Sequence, residues 1–197
     1  SRAAFLIPML FATHGWAQAW TQVGGGVGVL VETRSSAGSA FEEIRITRTW
    51  AVPPQRACEA IWARDLEPDP WLPKGELLRQ SDDHRWYYER VIAPLVAERD
   101  YTLHIWREPA VAEGCVVRFD LDNDQGPPVK AGVVRMAALR GSWVVTTTAD
   151  GVAKVVYTLF NDPGGNIPAL LSRGSQRARA VDWVQRTFAA ALKIGAR

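Results

Sequence analysis

The side chains that could carry chemistry in this chain are few and dispersed. Three histidines and two cysteines are present, and none falls in a GxSxG, HExxH, GxGxxG or Walker-type phosphate-binding pattern with a supporting context. His84 stands beside Asp82 and Asp83 near a predicted loop, which favours a solvated polar cluster over a catalytic one. These patterns give no positive indication of catalysis.

His104 is the histidine that a predicted strand would position, so it is the candidate acid or base. Successive side chains of a strand point to opposite faces. His104 should therefore face away from Tyr101, Leu103 and Ile105, which share the other parity. An enzyme would need its acid or base on the same side as a ligand-lining face.

The two cysteines, Cys58 and Cys115, have no CxxC or Cys/His neighbours, so we predict no metal site and no cofactor. An oxidising compartment would allow a single disulfide between them. Separation along the chain does not fix spatial proximity, so the pairing stays open. Cys58 falls among apolar residues of a predicted helix, which favours a small buried residue over a bridge or a nucleophile.

The size and charge of the chain limit its class. At 197 residues and 47% hydrophobic content, the chain is long enough for one domain with a substantial core. The net charge of +2 creates no overall field that would demand nucleic acid. We therefore expect a single domain that binds no nucleic acid.

The first 19 residues are predicted to be a signal peptide. Arg2 precedes an apolar run over residues 3–11 that is too short to cross a bilayer, and Ala17-Gln18-Ala19 suits cleavage after Ala19. The alternative is a buried N-terminal helix. On the first interpretation, residues 20–197 form an exported, periplasmic domain.

Alternating patterns predict many strands. Ile44 and Ile46 share one face of a segment whose other face carries Arg45 and Thr47. The same alternation recurs in HRWYYERVI, RDYTLHIW, CVVRFDL, GVVRMAAL, SWVVTTT and VAKVVYTLF. Asp150-Gly151 predicts a type I′ hairpin between the last two, and the glycines at 24–26 are predicted to form a loop.

Two helices are expected. PPQRACEAIWARDL has apolar residues at helical spacing behind prolines that a first turn accepts. A longer helix follows NDPGG, with Asn166 as its cap and Pro168 in its first turn. Its predicted apolar stripe comprises Ile167, Leu170, Leu171, Gly174, Ala178, Val181, Gln185, Phe188 and Leu192. One long helix after antiparallel strands predicts an α+β fold in which a curved sheet wraps around that helix.

Three segments in order, ERVIAPLVAERDY, VVRMAALRGSWVVTTTADG and VVYTLFNDPGGNIPALL, resemble the START (steroidogenic acute regulatory protein-related lipid transfer) domains. The resemblance covers about residues 27–193. The matching motifs are Tyr88-Glu89, Pro94, Arg99-Asp100-Tyr101, Val134-Arg135, Gly141-Ser142 and residues 161–168.

The resemblance implies a helix-grip fold of the START and Bet v 1-like group. In such a fold the C-terminal helix closes an internal hydrophobic cavity that holds one lipid, sterol or other hydrophobic small molecule. It implies transport without chemistry, transient contact with a membrane and a monomeric carrier.

The resemblance also suggests ligand-binding residues. Arg99 begins a wall strand, and its guanidinium suits a phosphate or carboxylate. Alternatively, Arg99 pairs with Asp100, Glu89 or a backbone carbonyl. The remaining predicted ligand-binding residues are Tyr101, Leu103, Ile105, Arg135, Tyr157, Leu159, Ile167, Leu170 and Leu171.

Two further residue roles and the function of the domain stay open at this level. For Glu89 and Arg135, a structural ion pair or a surface position is favoured over contact with a ligand. Gly174 and Ser175 would let the last helix bend, or would allow close packing against a strand. Two rival functions are a helix-grip enzyme of polyketide cyclase or aromatase type, and an exported interaction domain with a filled cavity.

Overall fold

A computed structural model describes residues 18–64, 66, 75–94, 96–108 and 113–194, without the side chains of Leu170 and Leu171. The predicted signal peptide, residues 1–19, lies almost wholly outside the described residues and stays a prediction. Within the described parts, no helix combines the length and the apolar character needed to cross a membrane.

One antiparallel sheet dominates the described structure. Its ten strands are β1 (Thr21–Gly26), β2 (Val29–Ser35), β3 (Glu42–Trp50), β4 (Glu76–Gln80), β5 (His84–Val91), β6 (Arg99–Arg107), β7 (Cys115–Leu121), β8 (Val134–Arg135), β9 (Ala138–Thr147) and β10 (Ala153–Asp162). The spatial order is β1-β2-β3-β10-β9-β7-β6-β5-β4, and the short β8 pairs with β6 in parallel.

Two α-helices pack on one face of this sheet, which we call the inner face. They are α1 (Pro54–Ala63) and α2 (Ala169–Lys193), and they contact each other as well as β3, β7, β9 and β10. The predicted alternation in β3 is confirmed, because Ile44 and Ile46 are 2% and 1% exposed. The curved antiparallel sheet around a long C-terminal helix confirms the predicted α+β helix-grip fold.

The buried stripe of α2 differs from the predicted one. Ala180, Val184, Thr187 and Ala191 are buried, whereas the predicted Ala178, Gln185 and Leu192 are exposed. Val181 and Phe188 of the predicted stripe are half-buried and do pack against the core. The most buried positions carry smaller side chains, which allow a close approach to α1, where Ala57 and Ala60 are also buried.

The start of α2 also differs. The helix begins at Ala169 with Pro168 as its N-cap, and no side chain caps it, so Asn166 does not have the predicted capping role. A residue that precedes proline is disfavoured in the helical region. Ile167 therefore stays in the connection before the helix instead of in its first turn.

Two turn predictions need correction. Residues 24–26 belong to β1 and pair with β2, and the turn lies at Val27–Gly28, where Gly28 has φ +72°. The β9–β10 pairing is confirmed, but its turn is longer than type I′. The Thr148 N–H donates to the Val152 carbonyl at 2.9 Å, and only Gly151 adopts a positive φ.

The predicted strand GVVRMAAL is interrupted. Val134 and Arg135 pair with β6 in β8, and β9 begins only at Ala138. The Met136 N–H donates to the Asp100 carbonyl of β6, and the Ala137 N–H donates to the Asp162 carbonyl of β10. The chain thus leaves β6 and joins β10 between these two residues. Alternation predicted an extended segment correctly but could not show that it changes partner.

Cys58 and Cys115 form a disulfide, with Cα atoms 6.0 Å apart, so the favoured interpretation of Cys58 as an unbridged buried residue was wrong. Packing of α1 against β7 brings the two residues together, although 57 positions separate them in the sequence. The bridge fastens α1 to the sheet.

Candidate ligand-binding face

The inner face of β6 gathers four of the predicted ligand-binding residues. Arg99, Tyr101, Leu103 and Ile105 are all at least nine-tenths buried on this face, as their shared parity predicted. On β10, the predicted Tyr157 is buried, and Leu159 is half-buried. The strands therefore direct these predicted side chains to one side of the sheet.

One part of the inner face, which we call the packed region, is filled by apolar side chains. It consists of Trp50, Val145, Val155 and Ala191, all fully buried, together with the Cys58–Cys115 disulfide. The Trp50 ring lies 5.4 Å from the ring of Phe188 on α2 and 6.2 Å from that of Trp143. This region anchors the C-terminal half of α2.

A second part, which we call the polar region, consists of Arg64, Glu89, Arg99 and Tyr101. Arg64 Nη2 donates to Glu89 Oε1 at 2.5 Å, and the Tyr101 hydroxyl donates to Glu89 Oε2 at 2.5 Å. Glu89 is only 4% exposed, so the favoured interpretation of a structural ion pair is confirmed. Burial, followed by the charge of Glu89, raises the pKa of Tyr101 well above its ordinary value.

Arg64 is a site residue that sequence reasoning missed. It ends α1 in the left-handed conformation, with φ 51°, which is uncommon for a residue other than glycine. Its guanidinium also lies over the rings of Tyr87 and Trp183, at 5.1 and 5.4 Å from their centroids. No sequence pattern pointed to Arg64, because its partner lies 25 residues away on β5.

Arg99 differs from Arg64, the partly buried arginine of this region, because it has no carboxylate partner. It is 5% exposed, and no Asp or Glu among the described residues lies within ion-pair distance of its guanidinium. Nη1 donates to the Ala97 carbonyl, while Nε is buried without a hydrogen-bond partner. A Cβ added to Gly165 would lie 3.7 Å from Nη2, so the connection before α2 covers Arg99 closely.

Arg135 lies apart from the other predicted ligand-binding residues. It donates twice to Asp100, at 2.7 and 3.1 Å, and once to the Pro127 carbonyl. Asp100 also accepts the Tyr88 hydroxyl and has the opposite parity to Tyr101. Arg135 thus fixes the outer side of β6, and we leave it out of the site proposed below.

The void beneath α2 is small where described residues bound it. Its volume is about 20 Å³, and Arg64, Ile105, Trp143 and Trp183 are among its lining residues. That is room for a single water molecule, not for an acyl chain. The wide hollow that the fold implied is filled here by aromatic rings, such as Trp143 against Tyr157 at 4.4 Å.

The structure describes only some of the side chains that were predicted to close the cavity. Ile167 is half-buried in the connection before α2, whereas the side chains of Leu170 and Leu171 lie outside the described part. A Cβ added to Gly174 would meet nothing within 4 Å, so the prediction that this glycine packs closely against a strand was wrong. The alternative, that Gly174 and Ser175 let the helix bend, stays a prediction.

The outer face carries both described histidines. His104 faces away from Tyr101, as predicted, and its ring stacks 4.3 Å from that of Trp86. His84 Nδ1 lies 2.9 Å from His104 Nε2, so His84 belongs to the sheet and not to the predicted solvated cluster. Burial, and then the neighbouring His84, lowers the pKa of His104 below its ordinary 6.5.

Solved structures share this architecture. A STAR-related lipid transfer protein from Xanthomonas axonopodis has TM-score 0.75 and 24% identity over 87% of this chain and 98% of that one. Human STARD10 has TM-score 0.73 and 16% identity over 88% and 73%. The Zhui aromatase/cyclase from Streptomyces has TM-score 0.52 and 16% identity over 77% and 91%. These similarities establish the common fold.

Sequence comparison adds the family. An uncharacterized protein from Pseudomonas aeruginosa is 32% identical over 98 residues, a match that covers 49% of this chain and 48% of that curated relative. This chain thus spans about half the length of that relative. The START domain model matches residues 80–196, which is more than half of the chain and includes Glu89, Arg99 and Tyr101. The chain belongs to the START domain family.

Proposed function

We propose that this START domain binds one amphipathic lipid on its inner face and carries it between membranes. The apolar part of the lipid would contact the apolar residues of β6 and β10, and its anionic end would bind Arg99. Family membership and the likeness to a protein named for lipid transfer support the class of ligand. Apolar enclosure supplies the driving force, since each buried methylene contributes about 0.8 kcal/mol.

The observation that carries this proposal is the state of Arg99. A cation buried to 95% is costly unless an anion or several acceptors satisfy it. Only the Ala97 carbonyl does so among the described residues. A carboxylate or phosphate of a ligand would satisfy the free Nε and the charge together, in the bidentate geometry that a guanidinium favours.

Binding also requires room, because the described void admits only a water molecule. The two halves of α2 are held differently. Polar contacts hold the N-terminal half, from Arg173 to the Ala40 carbonyl and from Arg177 to Glu42. The C-terminal half is held by buried packing. We propose that the N-terminal half moves away from the sheet to admit the lipid, since the partly exposed Arg177–Glu42 pair costs less to exchange for water than buried apolar packing.

The disulfide supports an exported location. Such bonds persist in oxidising compartments such as the bacterial periplasm and are rare in the cytosol. We therefore retain the periplasm as the proposed location and residues 1–19 as the proposed signal peptide. Mass spectrometry of the protein recovered from periplasmic extracts tests both, because an N-terminus at Trp20 is expected.

The test of lipid binding compares a fluorescent fatty acid with its methyl ester. Arg99→Leu should weaken binding of the acid by about 10- to 100-fold, which is the value of a charge-assisted contact, and leave the ester unaffected. Arg118→Leu, on the exposed outer face, is the matched control and should change neither. Equal affinities of wild type and Arg99→Leu for the acid would remove Arg99 from the site.

The rival functions predict other results. An interaction domain with a filled interior would release no lipid in native mass spectrometry and would bind neither the acid nor the ester. A cyclase or aromatase would need an inward acid or base. His84 and His104 face outward, and Glu89 is committed to Arg64 and Tyr101. The geometry thus favours binding over catalysis.

A further inference from the structure

The outer face of the sheet contains a second recess, on the side away from the polar region. It has a volume of about 260 Å³ and lies over the backbone of Phe119, Gly141 and Leu159, where β7, β9 and β10 run side by side. We call it the outer trough. It is large enough for a six-membered ring with its substituents, and it shares no strand face with the site proposed for lipid.

Aromatic side chains border the outer trough. Trp106, Phe160 and Trp20 line it from β6, from β10 and from the segment before β1. Arg140 lies over the Phe160 ring at 4.0 Å, and Arg34 lies over the Trp20 ring at 4.5 Å. Phe160 is only 6% exposed, and Arg45 also lies over the Trp20 ring, at 4.4 Å, so the half-buried Trp106 is the ring of this border that offers apolar surface. It stands next to hydrogen-bond donors, the combination that orients small ligands in pockets.

The charges of the outer trough cancel. Arg34 and Arg140 both contact Glu43, at 2.6 and 3.3 Å, and Arg118 pairs with Glu108. With Asp120, whose Oδ1 accepts its neighbour's N–H, two carboxylates line the trough beside three guanidinium groups, and Glu108, outside the lining, compensates Arg118. The carboxylates would repel an anionic ligand, and the arginines would repel a cationic one. A neutral ligand would experience neither repulsion.

Hydrogen-bonding groups of both kinds are exposed to the trough. The side chains of Arg118 and Arg140 are 47% and 44% exposed, and the contacts of Arg140 with Glu43 and Ser36 are long, at 3.3 and 3.4 Å. The hydroxyls of Ser142 and Thr158 are 2.8 Å apart in the trough. A hydroxyl both donates and accepts, so a ligand with several adjacent hydroxyls can use the donors and the acceptors together.

We propose that the outer trough binds a neutral saccharide, with the ring against Trp106 and its hydroxyls on Arg118, Asp120 and Arg140. This proposal is independent of the lipid site, because it uses the opposite face of the sheet. The saccharide would be free or would be the exposed end of a glycan.

The test uses three compounds with the same ring and different charge: methyl β-D-glucopyranoside, glucuronate and glucosamine. Chemical-shift changes of the tryptophan indole and backbone N–H groups would be followed by NMR. We expect the neutral glucoside to shift Trp106 and residues 118–120 with a millimolar Kd, at least about tenfold tighter than either charged compound.

Two variants and a control complete the experiment. Trp106→Ala should weaken glucoside binding at least about tenfold, whereas Lys154→Ala, on the same face but outside the trough, should not change it. Asp120→Asn keeps the size of the side chain and leaves one excess positive charge. It should raise the affinity for glucuronate relative to the glucoside, a readout that does not depend on Trp106→Ala folding.

Three results would overturn the proposal. One is the absence of shifts with the glucoside at about 100 mM, well above a millimolar Kd. Another is tighter binding of glucuronate than of the glucoside by wild type, which would make the trough an anion site. The third is a set of shifts confined to inner-face residues such as Tyr101 and Trp143. Arg99→Leu should leave glucoside binding intact, so loss of lipid binding and loss of saccharide binding are separable.

Discussion

The packed region and the polar region lie on the same inner face, yet they are built on opposite principles. Trp50, Val145 and Val155 are fully buried apolar residues that contact other apolar groups. Glu89 and Arg99 are buried to a similar degree but are polar, and Arg99 lacks a carboxylate partner among the described residues. Burial therefore stabilises the fold through apolar contacts in the packed region. In the polar region it leaves the Arg99 guanidinium without enough hydrogen-bond acceptors.

This difference indicates where stability and selectivity reside. Buried apolar contacts are non-directional and add to the free energy of unfolding with little regard to ligand. A buried charge contributes little to stability and is costly when it is not compensated. We expect changes in the packed region to alter unfolding chiefly, and changes at Arg99 to alter ligand affinity chiefly.

The largest expected effect comes from the packed region. Replacing both Cys58 and Cys115 with alanine should lower the free energy of unfolding by about 4 kcal/mol, because the bridge closes a long loop in the unfolded chain. Urea denaturation measures this loss. Dithiothreitol should reproduce it in the wild type and should not affect the variant; a loss below about 1 kcal/mol would contradict the proposed anchoring role.

The next largest effect on the free energy of unfolding is expected in the polar region. Glu89→Gln should destabilise the protein by about 3 kcal/mol, because the Arg64 guanidinium then stays partly buried without its carboxylate. The double variant with Arg64→Met should recover part of this loss in urea denaturation. If the two changes are instead additive, Arg64 and Glu89 do not act as a pair.

A smaller and opposite effect is expected at Gly174. Alanine at this exposed position inside α2 should stabilise the protein by about 0.5–1 kcal/mol, since a Cβ meets no neighbour and glycine is a poor helix former. Calorimetry measures the change. If the N-terminal half of α2 bends to admit lipid, Gly174→Ala should also slow lipid exchange, and unchanged exchange would argue against bending at Gly174.

The smallest expected effect is the loss of stability on protonation of His104, which lies on the outer face. The pKa of His104 is lowered in the folded protein, so the unfolded chain takes up a proton first as the pH falls. Stability is then complete above the ordinary pKa of 6.5 and declines as the pH drops below it toward the folded pKa. The groups that act on His104 are His84, Asp122, Arg79 and Asp120.

Urea denaturation at several pH values would follow this decline. His104→Gln should flatten the profile near the ordinary His pKa of 6.5 and leave the affinity for the fluorescent fatty acid unchanged. A slope that persists in the variant would assign the proton uptake to another group.

Local periodicity explains what the sequence could predict. Alternation in β3, β6 and β10 established which side chains share a face, and the ordered START motifs predicted the sheet and its helix. Parity alone places Arg99 and His104 on opposite faces of β6, and the START resemblance identified the face of Arg99 as the one that lines the interior.

Long-range contacts explain what the sequence could not predict. The buried stripe of α2 depends on the small residues of α1, and the disulfide depends on how α1 packs against β7. The pairing of Arg64 with Glu89 depends on a left-handed backbone at the end of a helix. Each of these joins segments whose separation in the chain carries no local signal.

The Cys58–Cys115 bond has a consequence for the integrity of the site. Arg64, Glu89, Arg99 and Tyr101 all lie between the bonded cysteines in the chain, so the bond makes them part of one covalent ring. A protease that cuts the backbone once within this ring leaves both pieces tethered. A nicked molecule would thus remain a single covalent unit until a reductant separated it.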